Sequence, residues 1–309
     1  MTARTAQAMG RRRRGDPVSG WLVLDKPAGP TSTTAVNRCR WLLNAQKAGH
    51  AGTLDPLASG ILPIAFGEAT KCINFLTDAT KTYRFTIRFG TSTTTDDGEG
   101  EVLAESASRP VPDDITALLD RFTGDILQVP PAFSAIKIDG QRAYDLARDG
   151  QPPEMKARPV QVERLSLLGM PDDDHAELEM VCGKGTYVRS LARDIGALLG
   201  IPAHARAIRR TAVGSFEESG SISLATFEGL CHKRSGLEAL KPVETALDDI
   251  PALAVTGEQA DRIRHGQAVR VLNFTYRDDE LICAMHDQRP VALARYRAEW
   301  VEPVRVFNL

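Results

Sequence analysis

Cysteine is scarce and poorly placed for cross-linking. Cys39, Cys72, Cys182, Cys231 and Cys283 are far apart, odd in number and never form a C-x-x-C pair. That pattern speaks against a disulfide framework and against a cysteine-based zinc site. The six histidines are scattered, without H-E-x-x-H or a close pair, so no metal is expected. No apolar run approaches the roughly 18 residues of a membrane span. The basic patch Arg11 to Arg14 leads into Gly15-Asp16-Pro17 and not into the apolar core of a signal peptide, so a cytoplasmic protein is expected. A dominant charge is also missing: 38 Lys plus Arg against 40 Asp plus Glu leave a net of -2, which names no partner. What is present is 309 residues, 42% of them hydrophobic, enough for a packed core and for about two domains.

The small total hides a patterned distribution. Residues 1 to 50 carry nine Lys or Arg against two Asp, whereas residues 91 to 125 carry two Arg against nine acids. Residues 171 to 180 add five acids and no base, and residues 181 to 214 return six bases against Asp194 alone. Basic stretches that meet in space form a footprint for a polyanion; taken singly, each is an ordinary solvated face.

A short apolar strand at Trp21 to Leu24 runs into Asp25-Lys26-Pro27-Ala28-Gly29-Pro30, dense in turn formers. Thr31 or Ser32 can cap the next helix, in which Ala35, Val36, Cys39, Leu42 and Leu43 share a face and Arg38 and Arg40 lie nearer solvent. Ala69, Cys72, Ile73 and Leu76 signal a second helix. Tyr83, Phe85, Ile87 and Phe89 then alternate with Arg84, Thr86 and Arg88, the period of a half-buried strand. Residues 91 to 112 read as a loop with edge structure. Residues 128 to 153, with Pro130-Pro131, Gly140 and Pro152-Pro153 around a short helical Arg142 to Arg148, read as a long excursion of the kind that is often functional. A strand at Ala176 to Cys182 leads through Gly183-Lys184-Gly185-Thr186 into a helix with an apolar stripe of Val188, Leu191, Ala192, Ile195, Leu198 and Leu199. Beyond about Asp248 short strands dominate.

The most unusual passage is Gly49-His50-Ala51-Gly52-Thr53-Leu54-Asp55-Pro56-Leu57-Ala58-Ser59-Gly60. Read from its residues alone, Asp55 is either a functional carboxylate held outward by a turn or a helix cap with Pro56 at the first helical position. The passage closely resembles the signature of TruB-type tRNA pseudouridine synthases. Leu24-Asp25-Lys26-Pro27, Gly67-Glu68-Ala69-Thr70-Lys71, Lys81-Thr82-Tyr83-Arg84, Pro131-Ala132-Phe133-Ser134-Ala135-Ile136-Lys137 and Gly183-Lys184-Gly185-Thr186-Tyr187-Val188-Arg189 resemble that family's blocks in its order, over about residues 20 to 215.

The resemblance implies isomerisation of the T-loop uridine of tRNA, position 55 in tRNA numbering, to pseudouridine. It implies no cofactor, tRNA through its T-arm as the partner, and a monomer. The implied fold is α+β, a pseudouridine synthase fold with a mixed, largely antiparallel central sheet and a small C-terminal β-rich PUA-like domain. The implied division is a basic tail at 1–19, a catalytic domain at 20–247 with an RNA-contacting excursion at 128–153, and an RNA-binding domain at 248–309.

That reaction breaks a glycosidic bond, turns the base while it stays bound, rejoins C5 to the sugar and loses the C5 proton. A carboxylate can serve as nucleophile or base, and either role needs it ionised. The resemblance gives this role to Asp55 and the compensating cation to Arg189, which by spacing alone could share an exposed helix face with Arg193. It places Tyr83 against the extruded base, with a second role in removing the C5 proton, where the strand pattern alone gives a core aromatic. Tyr187 and Ile208 match positions that contact the flipped nucleotide, and otherwise read as packing. His50 takes the place of the histidine that enters the T-loop; a lone histidine is otherwise structural. Lys26 and the segment around Phe133 and Lys137 are expected to help hold RNA; either lysine otherwise reads as an ordinary solvated charge. Thr94 stands where the family commonly has an aspartate, with Asp97 at a second acidic position.

Two other classes compete. A non-catalytic RNA-binding protein could use the same surface. A glycosidase-type hydrolase would need two carboxylates flanking the bond, and no second one is evident beside Asp55. Gly183 to Thr186 lacks the G-x-x-x-x-G-K-[ST] spacing of a phosphate loop, so no nucleotide site is expected.

Overall fold

The computed structural model describes residues 15–134, 136–138, 140–151, 153–272 and 276–309. The Arg11 to Arg14 run and the side chain of Lys137 lie outside the described residues.

A ten-stranded sheet forms the main body. Its spatial order is Ile222–Ser223, Gly20–Lys26, Ser59–Phe66, Ala203–Val213, Lys81–Phe89, His175–Cys182, Arg158–Asp172 and Gly124–Gln128. Ala48–His50 pairs with Ser59–Phe66, and Phe216–Glu217 with Ala203–Val213. Pairing is parallel between Gly20–Lys26 and Ile222–Ser223 and between Ser59–Phe66 and Ala203–Val213, and antiparallel elsewhere. This is the mixed, largely antiparallel sheet implied by the resemblance.

The central strands follow from their sequences. Trp21, Leu22, Val23 and Leu24 are all buried, as an unbroken apolar run requires when both faces of a strand are covered. In Lys81–Phe89 the alternation puts Phe85, Ile87 and Phe89 inside and Arg84 and Arg88 outside. The helix Val188–Leu199 lays Leu191, Ala192 and Ile195 into the same core as Phe85 and Ile87, and ends at Gly200, whose φ of 69° is the left-handed conformation glycine adopts without strain. The Ser32–Leu42 helix is capped by the Thr31 hydroxyl.

The second expected helix begins as a 3-10 turn at Gly67–Cys72 before the α-helix Ile73–Asp78. Residues 91 to 112 contain a hairpin, Thr91–Thr93 with Val102–Glu105. The 128 to 153 excursion holds a two-residue hairpin and the helix Ala143–Arg148.

A five-stranded sheet forms the C-terminal part, in the order Ala252–Ala254, Glu280–His286, Arg289–Arg297, Trp300–Val306 and Val269–Arg270, covered by the helix Gly257–Arg264. It joins the main body through a shared core in which Cys283, Leu293 and Phe307 meet Trp21, Ile61 and Phe216. Polar contacts reinforce the seam: Lys71 Nζ donates to the Val306 carbonyl at 2.7 Å, and Asn308 N donates to Glu68 at 2.7 Å.

Candidate active site

Asp55 sits on a turn and caps no helix. The turn is pinned on both sides of it. Leu54 N donates to Ser32 Oγ at 2.8 Å, the same hydroxyl donates back to the Leu54 carbonyl at 2.9 Å, and Gly29 N donates to the Pro56 carbonyl at 2.7 Å. A carboxylate on a backbone held this way keeps its place without depending on a ligand.

Arg189 meets it from the first turn of the Val188–Leu199 helix. Nε donates to Asp55 Oδ2 at 2.9 Å, Nη1 to the Thr95 carbonyl at 2.9 Å and Nη2 to the Phe133 carbonyl at 2.8 Å. Asp97 Oδ2 lies 3.5 Å from Nη1, and its other oxygen accepts from Thr95 Oγ1 and Glu99 N. Side-chain exposure is 4% for Arg189, 5% for Asp97 and 35% for Asp55. The guanidinium is thus an internal anchor joining three segments, and Asp55 alone of the three turns toward solvent. Asp97 is buried and engaged, so it does not stand as a second carboxylate across from Asp55.

Arg193, readable as a solvated charge, is in fact paired with Asp96 at 2.8 Å and with Asp194 at 2.9 Å, and donates to the Val129 carbonyl. Burial pushes the Asp96 carboxyl up, against the pull of Arg193 and Arg189.

Tyr83 is half-buried and lies opposite Arg210 and Met180 in register. Burial raises its phenol above the usual value of 10, with the Arg210 guanidinium opposing, so the group is neutral at ordinary pH. Tyr187, at the start of the helix, is clasped by Gln128, which accepts from its backbone N–H at 2.8 Å and donates to its carbonyl at 3.1 Å; burial raises this phenol too. Ile208 is buried, opposite Phe85. His50 ends the Ala48–His50 strand, and burial and the charge of Arg210 lower its pKa below 6.5, so the ring is neutral at pH 7. Its Nδ1 is sealed from solvent without a partner among the described residues.

Lys26 is placed differently from the expectation that it holds RNA. It is wholly buried, and its ammonium donates to the Pro27 and Pro30 carbonyls at 2.8 and 2.9 Å. Burial pushes its pKa down to about 8, with the charge of Asp55 opposing. The lysine ties the turn beneath the Asp55 loop to itself and has no free donor at the surface. Of the expected RNA-holding segment, Phe133 supplies a carbonyl to Arg189 and packs edge-on against Tyr144 at 6.0 Å.

Sequence reasoning did not single out Arg210. Its side chain is buried, with Nε donating to the Ile61 carbonyl at 2.7 Å, Nη2 to Gly52 at 3.0 Å and Nη1 to Thr53 at 3.5 Å. A signal existed: Arg210 is two residues from the apolar Ile208 and therefore on the core-facing side of a strand.

Among the described residues no group of three or more His, Cys, Asp or Glu could hold a metal, and no helix is long and apolar enough to cross a membrane. Between the main body and the C-terminal sheet, Lys47, Thr70, Lys71, Asn74 and Arg305 line a groove of about 350 Å³ without a carboxylate in its wall. Lys47 and Arg305 form no ion pair among the described residues.

Comparison with known proteins places the chain among known sequences and folds. The model of the TruB family pseudouridylate synthase N-terminal domain matches residues 40–188, and that of the tRNA pseudouridylate synthase B C-terminal domain matches residues 189–248. A tRNA pseudouridine synthase B of Caulobacter sp. (strain K31) is 54% identical over 309 residues, covering 97% of this chain and 100% of the relative. One of Roseobacter denitrificans is 51% identical over 300 residues, covering 97% and 99%. Among solved structures, a Cbf5-Nop10-Gar1 complex matches with a TM-score of 0.73 at 27% identity, covering 94% of this chain and 85% of that one. An H/ACA RNP bound to a substrate RNA containing 2'-deoxyuridine matches in fold with a TM-score of 0.75 at 24% identity, covering 98% and 92%.

Proposed function

The chain belongs to the TruB family of pseudouridylate synthases and is an isomerase that converts uridine of tRNA to pseudouridine; from that premise we propose that its target is the T-loop uridine at tRNA position 55, with Asp55 as the essential carboxylate. The observation that carries the assignment is the pairing of Asp55 with Arg189. A carboxylate that must act under a bound nucleobase loses water and would drift toward its neutral acid. A buried guanidinium 2.9 Å away supplies the compensating positive charge without occupying its exposed side.

The other side chains take roles that follow from their placement. The ring of Tyr83 stacks on the extruded base. Its phenol, held neutral by burial, is a hydrogen-bond donor first, and a role in taking the C5 proton requires a proton relay through it and not a standing phenolate. Tyr187 and Ile208 form the wall against which the base turns. His50, its ring held neutral by burial, enters the T-loop where the base has left.

The domains divide the work. Residues 20–247 form the catalytic domain and residues 248–309 a PUA-like RNA-binding domain, with the excursion at 128–153 closing on the T-arm. The groove lined by Lys47 and Arg305, neither of them ion-paired among the described residues, supports a path for the phosphate backbone across the seam between the two. The protein works in the cytoplasm as a monomer.

The test is incubation with T-arm RNA tritiated at uridine C5. Release of tritium to water without free uracil is the expected result. Binding without release points to a non-catalytic RNA-binding protein, and release of uracil to a hydrolase.

A further inference from the structure

Arg210 is a charge buried where charge is costly. Its side chain is 1% exposed, and no carboxylate lies within ion-pair distance of it among the described residues. Taking an unpaired cation out of water is costly even after relaxation. An apolar side chain of similar size would fill the same space, so burial alone does not account for an arginine there.

Its acceptors supply the reason. Gly52 and Thr53 stand just before Asp55, and Ile61 stands just after it in the strand Ser59–Phe66. One planar guanidinium therefore holds the Asp55 loop at both of its ends. The backbone of Arg210 lies in the central strand Ala203–Val213, opposite Gly60 on one side and Tyr83 on the other. Gly60 is required by this approach: with φ at 101°, a Cβ there would stand 2.1 Å from the Arg210 carbonyl. Gly52, with φ at 93°, would bring a Cβ to 3.3 Å from Nη1. Backbone and side chain together thus fit the loop to this one residue.

We infer that Arg210 is a positioning residue for the reaction, a clamp that fixes the Asp55 loop against the strand bearing Tyr83 and so sets the distance between carboxylate and base. Arg189 orients the carboxylate directly; Arg210 orients the backbone that carries it. The charge of Arg210 also acts on the phenol of Tyr83 and on the ring of His50, favouring the phenolate in one and the neutral imidazole in the other. One cation is thereby shared by two side chains of the proposed site and by the loop that carries a third.

The inference rests on the assignment of Asp55 and is tested beside it. Arg210→Lys keeps the charge but cannot bridge three carbonyls, and Arg210→Met keeps the volume and removes the cost of a buried charge. RNA affinity is expected to stay near that of the unmodified protein in both, and melting temperature in Arg210→Met, where the lost contacts and the removed buried charge offset. The single-turnover rate is expected to fall about 100-fold, since displacing a reacting group by about 1 Å is enough for that. Combining Arg210→Met with Tyr83→Phe should cost less than the two separate losses multiplied, because both act through one contact. Lowered stability with an unchanged rate in whichever variant folds would overturn the inference.

A second arm separates it from the function itself. The phenol of Tyr83, followed by ultraviolet titration with Tyr83→Phe as the blank, should ionise at higher pH in Arg210→Met. This outcome is independent of whether the unmodified protein isomerises uridine. An unmoved phenol together with an unchanged single-turnover rate refutes the clamp, whereas a moved phenol in a protein that releases no tritium refutes the function.

Discussion

Arg189 donates to Asp55 at 2.9 Å from a position in which 4% of its own side chain is exposed, against 35% for the carboxylate. The cation is part of the interior and the anion is part of the surface of the cleft. Arg189→Ala should therefore injure both stability and rate. It leaves Asp97 buried without its partner, which for a broken buried pair costs about 3–5 kcal/mol. Denaturant unfolding and single-turnover assays on the same preparation should show both losses, with tRNA affinity little changed. A variant that binds tRNA poorly but isomerises what it binds at the normal rate would make Arg189 a phosphate contact instead.

Lys26 and Lys81 should give the fold an unusual alkaline profile. Burial lowers both from 10.5 to about 8. Between those values the unfolded chain binds more protons than the folded one, so stability rises with pH from about 8 to 10.5 and is lost as pH falls back through 8. Lys26→Met should remove about one proton from this linkage, measurable as a flatter dependence of unfolding free energy on pH across that window. An unchanged slope would mean that Lys26 titrates as a solvated amine.

Tyr83 is expected to serve mainly as a ring. Tyr83→Ala should weaken binding of the flipped base by about 1–3 kcal/mol, the usual worth of one base stacked on an aromatic. Tyr83→Phe should keep that affinity, and its rate isolates what the hydroxyl contributes. Equal loss of affinity in both variants would show that the hydroxyl and not the ring holds the base.

RNA affinity should fall steeply with salt despite the net charge of -2. In the groove Lys47 and Arg305 carry positive charge that the total conceals, whereas Lys71 is paired with Glu68 at 2.6 Å. Arg305→Ala should weaken binding across RNA sequences and reduce the slope of log affinity against log salt by about 1. An unaltered slope would place the RNA backbone elsewhere.

Periodicity made the strands legible. The alternation of Phe85, Ile87 and Phe89 with Arg84 and Arg88 maps directly onto the two faces of a sheet, and the structure follows it. The pairing of Asp55 with Arg189 joins residues 134 apart in sequence, which no local pattern encodes, and only the resemblance in ordered motifs brought the two together in advance. The same motifs did not show how Lys26 is held, because a motif records that a lysine is present and not which way it points. Its amine closes on the carbonyls of Pro27 and Pro30 within its own turn, a contact decided by backbone path. Arg193 misled for the opposite reason. Its position on a helix face suggests water, but the loop carrying Asp96 folds back over that face. Arg210 was hidden in a run of three Arg and Thr residues, Arg209-Arg210-Thr211, whose composition suggests a surface strand while the two-residue period puts the middle one inside.

The carboxylate of Asp55 is central to the proposed chemistry, and Asp55→Asn removes its charge with almost no change in volume. Single-turnover release of tritium from C5-labelled uridine in the T-arm should vanish in this variant, while tRNA affinity measured on the same preparation matches that of the unmodified protein. Tritium release at the unmodified rate from Asp55→Asn would contradict the central claim.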